Sequence, residues 1–270
     1  MTRLVTAQIK DIPTTMKDYD QQLQQITGCS LFELANYAVE ASYQQQDLAA
    51  KKAAVIPVTA GEGLIEGFSE AVMAILEFIG FEALITDQPD LGGLDQAYQL
   101  GADIALMADD DTFLAWNLAN RKWANNDRAT AKGYVAALNK TSGGLTAKSV
   151  LVLGLGSVGV ESVKALNEQG VSSIGVCDLN VEKMERIKKE FGPSIELIKD
   201  LTYGLQKYDL IIEATPAAEI IRADDVDQKT VIAAPGIPLG LSARAVTKIE
   251  QGLIHDPLQL GVAVMGLEVL

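Results

Sequence analysis

The chain has 270 residues, 48% of them hydrophobic, which is enough to bury the cores of two compact domains. Its 36 acidic and 22 basic residues give a net charge of −14, which argues against nucleic acid and anionic membrane surfaces as partners and favours small cationic ligands. The most apolar stretch, residues 71–85, contains Glu77 and Glu82, so no membrane span is predicted, and no signal peptide is expected.

Cysteine and histidine are scarce, which limits the chemistry of the chain. Cys29 and Cys177 belong to no CxxC or Cys/His cluster, so neither a disulfide framework nor a metal site is predicted, and a reducing cytoplasm is expected. A single histidine, His255, excludes most Ser-His-Asp, Cys-His and multi-histidine schemes. Catalysis must therefore depend on carboxylates, backbone groups or a cofactor.

The first half of the chain begins with two helical patterns and then alternates strands with helices. The first helices are predicted at about residues 14–25 and 30–47, the second with Ser30 as its N-cap. Apolar runs predict strands at 53–58, 82–85 and 104–107, separated by helices at about 65–79 and 94–100. This βαβαβ order predicts a short parallel sheet.

A further long helix is predicted at about residues 112–139, and Gly143 and Gly144 after it mark the expected boundary between domains 1–144 and 145–270. The second domain has a regular series of strands with helices between them, at 149–153, 174–177, near 196, 210–213 and 231–233, and a closing helix from about 258. The predicted fold class is α/β, with a C-terminal Rossmann dinucleotide-binding domain and an N-terminal substrate domain of helices on a short parallel sheet. The active site is expected to span the cleft between them.

A glycine motif follows the first strand of the second domain, in VLVLGLGSVGVESVKAL. Its GxGxxG spacing between a strand and an amphipathic helix is typical of a turn that binds the pyrophosphate of a dinucleotide, although a helix cap beside an empty turn is the alternative. Asp178 ends the next strand and is expected to accept hydrogen bonds from the adenosine ribose, and the residues after it supply no base for a 2′-phosphate, so NAD is favoured over NADP. The predicted cofactor residues here are Gly154, Leu155, Gly156, Ser157, Val158, Gly159, Asp178, Leu179 and Asn180.

Two later strands end in loops that contain Pro and Gly, within IIEATPAAE and VIAAPGIPLGLS. Because doubly wound sheets bind ligands at the carboxyl ends of their strands, these loops are expected to border the nicotinamide, although Pro and Gly also suit ordinary loops. His255 either lies nearby or is a helix-start or packing residue. The cofactor residues predicted from these segments are Ala214, Thr215, Pro216, Ala234, Pro235, Gly236 and His255.

The N-terminal domain has its own glycine-bearing strand end, VTAGEGLIEGFSEAV. Gly61 and Gly63 are predicted to open a helix whose backbone amides can bind a carboxylate. Glu66, about one turn further in, either accepts a hydrogen bond from a substrate ammonium group or only compensates the helix dipole.

The segment MADDD, residues 107–111, places three carboxylates where the third strand should stop. Sheet polarity puts Asp109 on one rim with Glu66, and these two are predicted to be catalytic by holding the substrate's ammonium groups. Asp103 falls on the opposite rim and is expected to be structural. Asp110 and Asp111 are predicted to cap the next helix; the alternative is that all three aspartates only form a solvated turn. The remaining predicted substrate contacts are Val58, Ala60, Gly61, Asp87 and Ala108.

Three segments together resemble the pyrrolysine synthase family: VIPVTAGEGLIEGFSEAV, GADIALMADDDTFLAWN, and VLVLGLGSVGVESVKAL through APGIPLGLS. The resemblance covers essentially the whole chain, and the first two segments are the more specific. It implies an NAD-dependent dehydrogenase acting on 3-methyl-D-ornithine that is amide-linked to the ε-nitrogen of L-lysine. The implied reaction oxidises the terminal amine of the ornithine, releases ammonia and closes a five-membered ring with loss of water.

Two other functions stay open on the sequence. A shikimate-type or amino-acid dehydrogenase would share this architecture, and EATP mildly supports it, but it would need a lysine at the cleft. The glycine-rich and acid-bearing segments contain none, although Lys51 and Lys52 precede the first strand. The other function is a non-catalytic NAD-sensing protein. The expected partner is a small cationic substrate derived from amino acids, and a homodimer is left open.

Overall fold

The computed structural model describes residues 4–270, which form two compact units. The first comprises Ser30–Thr130, Pro257–Leu270 and the described residues up to Gln22, and the second comprises Leu23–Cys29 and Ala131–Asp256. Within residues 4–270, none of the helices combines the length and the apolar character that crossing a membrane requires.

Seven helices and five strands make up the first half of the described chain. The helices are α1 Thr6–Ile9, α2 Ile12–Thr27, α3 Leu31–Ala38, α4 Gln45–Leu48, α5 Phe68–Ile79, α6 Asp90–Gln99 and α7 Asn126–Thr141. The strands are β1 Lys52–Ile56, β2 Glu82–Ile85, β3 Ile104–Ala108, β4 Phe113–Asn117 and β5 Trp123–Asn125. Ser30 caps α3 through a reciprocal pair of hydrogen bonds with Glu33, as the sequence predicted, but the helix predicted at 30–47 is two short helices.

The first sheet has the order β2-β1-β3-β4-β5. Its first three strands are parallel, as predicted, and β1 contacts both α5 and α6. Four of the five residues of β1 are buried, which explains why this strand is a continuous apolar run rather than an alternating one. The carboxyl ends of β1 and β3 therefore follow strands that are mostly buried in the core of this unit.

The helix predicted at 112–139 is wrong in its first half, where the chain forms the antiparallel strands β4 and β5. The burial of β4 alternates, with Phe113, Ala115 and Asn117 on the buried face, which is the period of a strand and not of a helix. Asn117, the last residue of β4, also donates a hydrogen bond from Nδ2 to the carbonyl oxygen of Val269, at 2.9 Å. This bond ties the strand to the C-terminal end of the chain. Only α7 remains of the predicted helix.

The second half of the chain forms the strands and the closing helix that the sequence predicted, and also a short sixth strand, Leu253–Ile254, that was not predicted. Its elements are β6 Ser149–Leu153, α8 Ser157–Glu168, β7 Ser173–Cys177, α9 Val181–Phe191, β8 Ile195–Leu197, α10 Leu201–Lys207, β9 Leu210–Glu213, β10 Val231–Ala233, α11 Ala243–Lys248, β11 Leu253–Ile254 and α12 Gln259–Glu268. The six strands are parallel in the order β11-β10-β9-β6-β7-β8, which is the doubly wound Rossmann order. Its topological switch point lies between β6 and β9. The predicted α/β class with a C-terminal Rossmann domain is confirmed.

The compact units differ from the predicted division at residue 144 in three places. Residues 23–29 and 131–144 group with the second unit, and the closing helix α12 groups with the first, where it contacts α3 and α5. Nine consecutive residues of α12, Gln259 to Leu267, are buried, as in a helix enclosed on all sides. The nearly uniform apolar sequence of α12 is typical of a buried helix, but the elements that pack around it could not be predicted from sequence.

Candidate functional site

The turn between β6 and α8 carries the three glycines of the GxGxxG motif. Gly154 has a φ of +84°, and a Cβ there would lie 2.7 Å from the carbonyl oxygen of Ala214. A Cβ on Gly159 would lie 1.9 Å from the carbonyl oxygen of Gly154, so the helix packs directly on the turn. A Cβ on Gly156 would meet no atom within 4 Å, so this part of the turn is open. Exposed backbone at the start of a helix without an acidic first turn fits a pyrophosphate group.

Asp178 follows β7 and is tied to the glycine turn. Its Oδ2 accepts a hydrogen bond from the Leu155 N–H at 2.6 Å, and its Oδ1 accepts from the Asn180 N–H at 2.8 Å. Leu179 is exposed, and Asn180 caps α9 by accepting from the Lys183 N–H. The carboxylate therefore lies beside the open part of the turn, and its predicted contact with an adenosine ribose stays a prediction.

The loops after β9 and β10 lie at the same edge of the sheet as the glycine turn, since all these strands are parallel. His255 follows β11, and its Nδ1 lies 2.7 Å from the carbonyl oxygen of Ala234. Because a carbonyl only accepts, Nδ1 carries the proton of this hydrogen bond. Asp256 after it is fixed by Tyr134, which is buried and whose hydroxyl oxygen accepts from the Asp256 N–H at 2.9 Å. His255 is thus placed beside the Ala234 loop.

Glu213, the last residue of β9, was missed by the sequence analysis. Its side chain is fully buried, and burial raises the pKa of the carboxyl group, while hydrogen bonds from Thr215 and Gly240 act in the opposite direction. The sequence did carry a signal, because a charged residue ending a strand that is otherwise Leu and Ile is unusual. Its partners were not visible, since Gly240 lies in the loop after a different strand.

A pocket of about 260 Å³ lies in the first unit, where β1, β2 and β3 end. Its apolar lining includes Val55, Ile56, Leu106 and Phe113. Four carboxylates also line it, and within residues 4–270 its lining contains no Lys, Arg or His; the four are Glu66, Glu70, Asp109 and Asp110. Several carboxylates around an apolar cavity favour a cationic ligand with an aliphatic body.

The glycine-bearing segment beside this pocket is a loop, so the prediction that Gly61 and Gly63 open a helix is wrong. Three glycines in the segment, Gly61, Gly63 and Gly67, have φ values of +69°, +80° and +82°, which interrupt helical geometry. The helix α5 begins at Phe68. Glu66 therefore precedes the helix, and its alternative role of compensating the dipole from the first turn does not apply.

The three aspartates form the turn between β3 and β4 and do not cap a helix, which corrects the prediction for Asp110 and Asp111. Asp109 Oδ1 accepts hydrogen bonds from the backbone N–H groups of Asp111 and Thr112, at 2.9 and 2.7 Å. Asp110 Oδ2 accepts from the Glu62 N–H at 2.6 Å and thereby ties the glycine-bearing loop to the hairpin. Asp111 is exposed.

The other predicted substrate residues divide into two groups. Val58 and Ala108 line the pocket with Glu66 and Asp109, whereas Ala60, Gly61 and Asp87 do not. Asp87 Oδ2 instead accepts from Gln96 Nε2 at 3.0 Å. Asp103, expected to be structural, accepts from the Lys52 N–H at 2.8 Å and lies 3.5 Å from Lys51 Nζ. The substrate and catalytic assignments themselves stay predictions.

A second groove in the first unit, of about 590 Å³, shares Val58, Ala108 and Asp109 with the pocket. Its further lining is mostly apolar and consists of Ala105, Met107, Thr112, Leu114, Trp116, Arg121 and Trp123. Asp109 therefore borders two cavities, and among the described lining residues the first has only acidic charged groups whereas the second also has a guanidinium group. In the described part of the chain, no group of three or more His, Cys, Asp or Glu side chains could hold a metal ion.

The parallel six-stranded sheet, the glycine turn and the carboxylate beside it define a dehydrogenase of the Rossmann class. Residues 136–234 match the family model described as shikimate / quinate 5-dehydrogenase. Among solved structures, quinate dehydrogenase from Corynebacterium glutamicum in complex with NAD is similar in fold, with a TM-score of 0.56 at 13% identity over 81% of this chain and 92% of that one.

Relatives that match this chain over its whole length identify its family. Residues 8–124 match the family model of the N-terminal domain of pyrrolysine biosynthesis protein PylD. Pyrrolysine synthase of Methanosarcina barkeri (strain Fusaro) is 33% identical over 100% of this chain and 98% of its own length, and that of Methanosarcina acetivorans is 31% identical over 100% of both. The chain belongs to the pyrrolysine synthase family and is a dehydrogenase of pyrrolysine biosynthesis, which confirms the resemblance drawn from the sequence.

Proposed function

We propose that this chain oxidises the terminal amine of 3-methyl-D-ornithyl-Nε-L-lysine with NAD, releases ammonia and closes the ring of pyrrolysine. The observation that carries this reaction is the apolar pocket whose described lining includes the carboxylates of Glu66, Glu70, Asp109 and Asp110. A substrate with several ammonium groups and an aliphatic body matches both properties of that pocket. Family membership supplies the biosynthetic context.

The proposed reaction balances with one NAD for each product. The terminal carbon of the ornithine part gives up a hydride, and its amine becomes an imine. Water adds to the imine and ammonia leaves, which produces an aldehyde. The α-amine of the ornithine part then attacks the aldehyde carbon, and water leaves as the C=N bond of the five-membered ring forms. One NADH and one ammonium are formed for each pyrrolysine.

Asp109 and Glu66 are the residues to which we assign the substrate's ammonium groups. Both line the pocket and both are exposed, so they can meet a ligand that enters from solvent. The reacting amine must be neutral before its carbon can release a hydride, and a carboxylate can accept the hydrogen bond of that amine. In Asp109 both turn hydrogen bonds use Oδ1, which leaves Oδ2 to face the substrate.

The described lining of the pocket contains no cationic side chain that could pair with the lysyl carboxylate of the substrate. The helix after the glycine-bearing loop begins only at Phe68, with Gly67 as its N-cap, so Gly61 and Gly63 do not open it. Arg121 lines the groove that shares Asp109 with the pocket, and the apolar side chains of that groove suit a methylene chain. We therefore assign the lysyl part of the substrate to this groove, with Arg121 as its carboxylate partner.

The cofactor site fits a dinucleotide because the open Gly156 turn, the helix start and Asp178 lie together. The bound nicotinamide supplies the hydride acceptor. Asp178 favours NAD, since its carboxylate can accept from the ribose hydroxyls and would repel a 2′-phosphate. The exposed Leu179 beside it adds no positive charge.

A shikimate-type or amino-acid dehydrogenase is less well supported by this site. That chemistry would need a lysine near the reacting carbon, and the described lining of the pocket contains none. Lys51 and Lys52 lie at the amino end of β1, where they form ion pairs with Asp103 and Glu82. They are therefore at the opposite rim of the sheet from the pocket.

The proposal is tested by incubating the protein with lysyl-linked 3-methyl-D-ornithine and NAD. NADH is followed by absorbance, ammonium by an enzymatic assay, and the pyrroline ring by mass spectrometry. We expect equal amounts of NADH, ammonium and cyclised product. NADH without ammonium would mean that an alcohol or another group is oxidised, and binding of NAD without any turnover would instead support a sensing role.

A further inference from the structure

Glu213 is a buried carboxyl group at the edge of the second sheet where the predicted cofactor loops begin. Its side chain has 0% exposure, and in the described part of the chain no Lys or Arg forms an ion pair with it. A buried carboxyl group without a cation is costly unless hydrogen bonds compensate it. Burying Glu213 therefore lowers the stability of the fold, which suggests that the group has a function.

The hydrogen bonds of Glu213 come from two separate loops. Oε1 accepts from the N–H and the hydroxyl group of Thr215, at 2.8 and 2.6 Å, in the loop after β9. Oε2 accepts from the Gly240 N–H at 3.2 Å, in the loop after β10. All three partners are donors, which suits an ionised carboxylate. One side chain thus joins the two loops.

Two glycines show that the second loop is built around this carboxylate. A Cβ on Gly236 would lie 2.5 Å from Glu213 Oε2, and a Cβ on Gly240 would lie 2.6 Å from Glu213 Cδ. Neither glycine has a positive φ, so the backbone conformation does not require glycine at either position. Close approach to the carboxyl group is what requires it. Gly236 also belongs to the segment predicted to border the nicotinamide.

We propose that Glu213 is a positioning residue that holds the loops 214–216 and 236–240 in the conformation that receives the nicotinamide ring of NAD. The side chain hydrogen-bonds to Thr215 and Gly240 and not to Gly156 or Asp178, the predicted contacts of the adenosine half. Loss of the carboxylate should therefore weaken binding of the nicotinamide ring selectively. This inference rests on the proposed use of NAD.

The test compares the affinities of Glu213→Gln and the unsubstituted protein for NAD, NADH and ADP-ribose, measured by isothermal titration calorimetry. ADP-ribose has the adenosine, the pyrophosphate and the second ribose of NAD and lacks only the nicotinamide ring. In the variant, the amide NH2 group of Gln replaces Oε2 and faces the Gly240 N–H. Both groups are donors, so this hydrogen bond is lost. A hydrogen bond to a charged group is worth enough to expect about tenfold weaker binding of NAD and NADH. The affinity for ADP-ribose should change less than about twofold, because ADP-ribose has no nicotinamide ring to contact the two loops.

Two further variants make the test decisive. Glu196→Gln, the same change on β8 of the same sheet, should leave all three affinities unaltered, since Glu196 pairs with Lys207 and not with either loop. Thr215→Val keeps the shape of the side chain but removes one donor to Glu213, so it should weaken the binding of NAD selectively even if Glu213→Gln does not fold.

Equal weakening of the binding of NAD and of ADP-ribose would assign Glu213 a merely structural role, and unchanged affinities would also overturn the proposal. An unsubstituted protein that binds neither NAD nor ADP-ribose would overturn the proposed cofactor itself.

Discussion

At the scale of single residues, the three aspartates after β3 have different contacts and therefore different expected roles. Asp109 holds the turn through Oδ1 and lines the pocket, Asp110 holds the glycine-bearing loop, and Asp111 is exposed. Sheet polarity alone was enough to place Asp109 at the pocket rim. The role of Asp110 was not predictable, because its partner, the Glu62 backbone, is 48 residues away in the sequence.

Replacing Asp109 by Asn should reduce kcat/KM for the lysyl-linked substrate at least tenfold, since a charge-assisted hydrogen bond in such a site is worth about 1.5 to 3 kcal/mol. The Asn side-chain oxygen can still accept the two turn hydrogen bonds, so the melting temperature should change little. Asp111→Asn is the matched control, and it should alter neither quantity. Full activity of Asp109→Asn in steady-state kinetics would show that Asp109 does not hold substrate.

Asp178 determines the choice of cofactor in this account. Replacing Asp178 by Ser and Leu179 by Arg should weaken NAD and improve NADP, because the repelling carboxylate is removed and a guanidinium group can pair with the 2′-phosphate. The ratio of kcat/KM for the two cofactors measures this change. An unaltered ratio would mean that Asp178 is not at the ribose, and that its hydrogen bond to Leu155 only stabilises the turn.

At the scale of secondary structure elements, the pocket depends on a loop and a hairpin that support each other. A Cβ on Gly61 would lie 1.9 Å from Asp110 Oδ2, so the loop backbone approaches the aspartate as closely as glycine permits. The sequence showed a glycine-rich strand end but could not distinguish a helix start from this loop. Likewise, an aspartate run before an apolar stretch suits both a helix N-cap and a hairpin turn.

Asp110→Asn should loosen the loop and raise KM severalfold with a smaller change in kcat, because the Glu62 N–H loses a charged acceptor. The free energy of unfolding should fall by about 1 kcal/mol or less, because the amide oxygen of Asn can still accept this hydrogen bond but carries no charge. Substrate kinetics and thermal melting, compared with Asp111→Asn, measure the two effects. A normal KM together with reduced stability would show that the loop is not part of the substrate site.

At the scale of the whole chain, the three parallel strands of the first sheet and all strands of the second except β11 were predicted closely, whereas the antiparallel strands β4 and β5 were not. The strands β6, β9 and β10 were predicted at their observed bounds, since buried parallel strands are continuous apolar runs between turn signals. Short strands such as Trp123–Asn125 carry no such run, and their partners decide their structure. The same limit applies to Glu213 and to α12, whose contacts depend on residues distant in sequence.

The central claim is that the terminal amine of the ornithine part is the nitrogen that leaves. The most direct measurement uses substrate labelled with ¹⁵N at that amine, and in parallel substrate labelled at the α-amine of the ornithine part, followed by mass spectrometry of ammonium and product. We predict that the terminal label appears in ammonium, in an amount equal to the NADH formed, and that the α-label is retained in the ring. Retention of the terminal label in the product, or release of the α-label, would contradict the account.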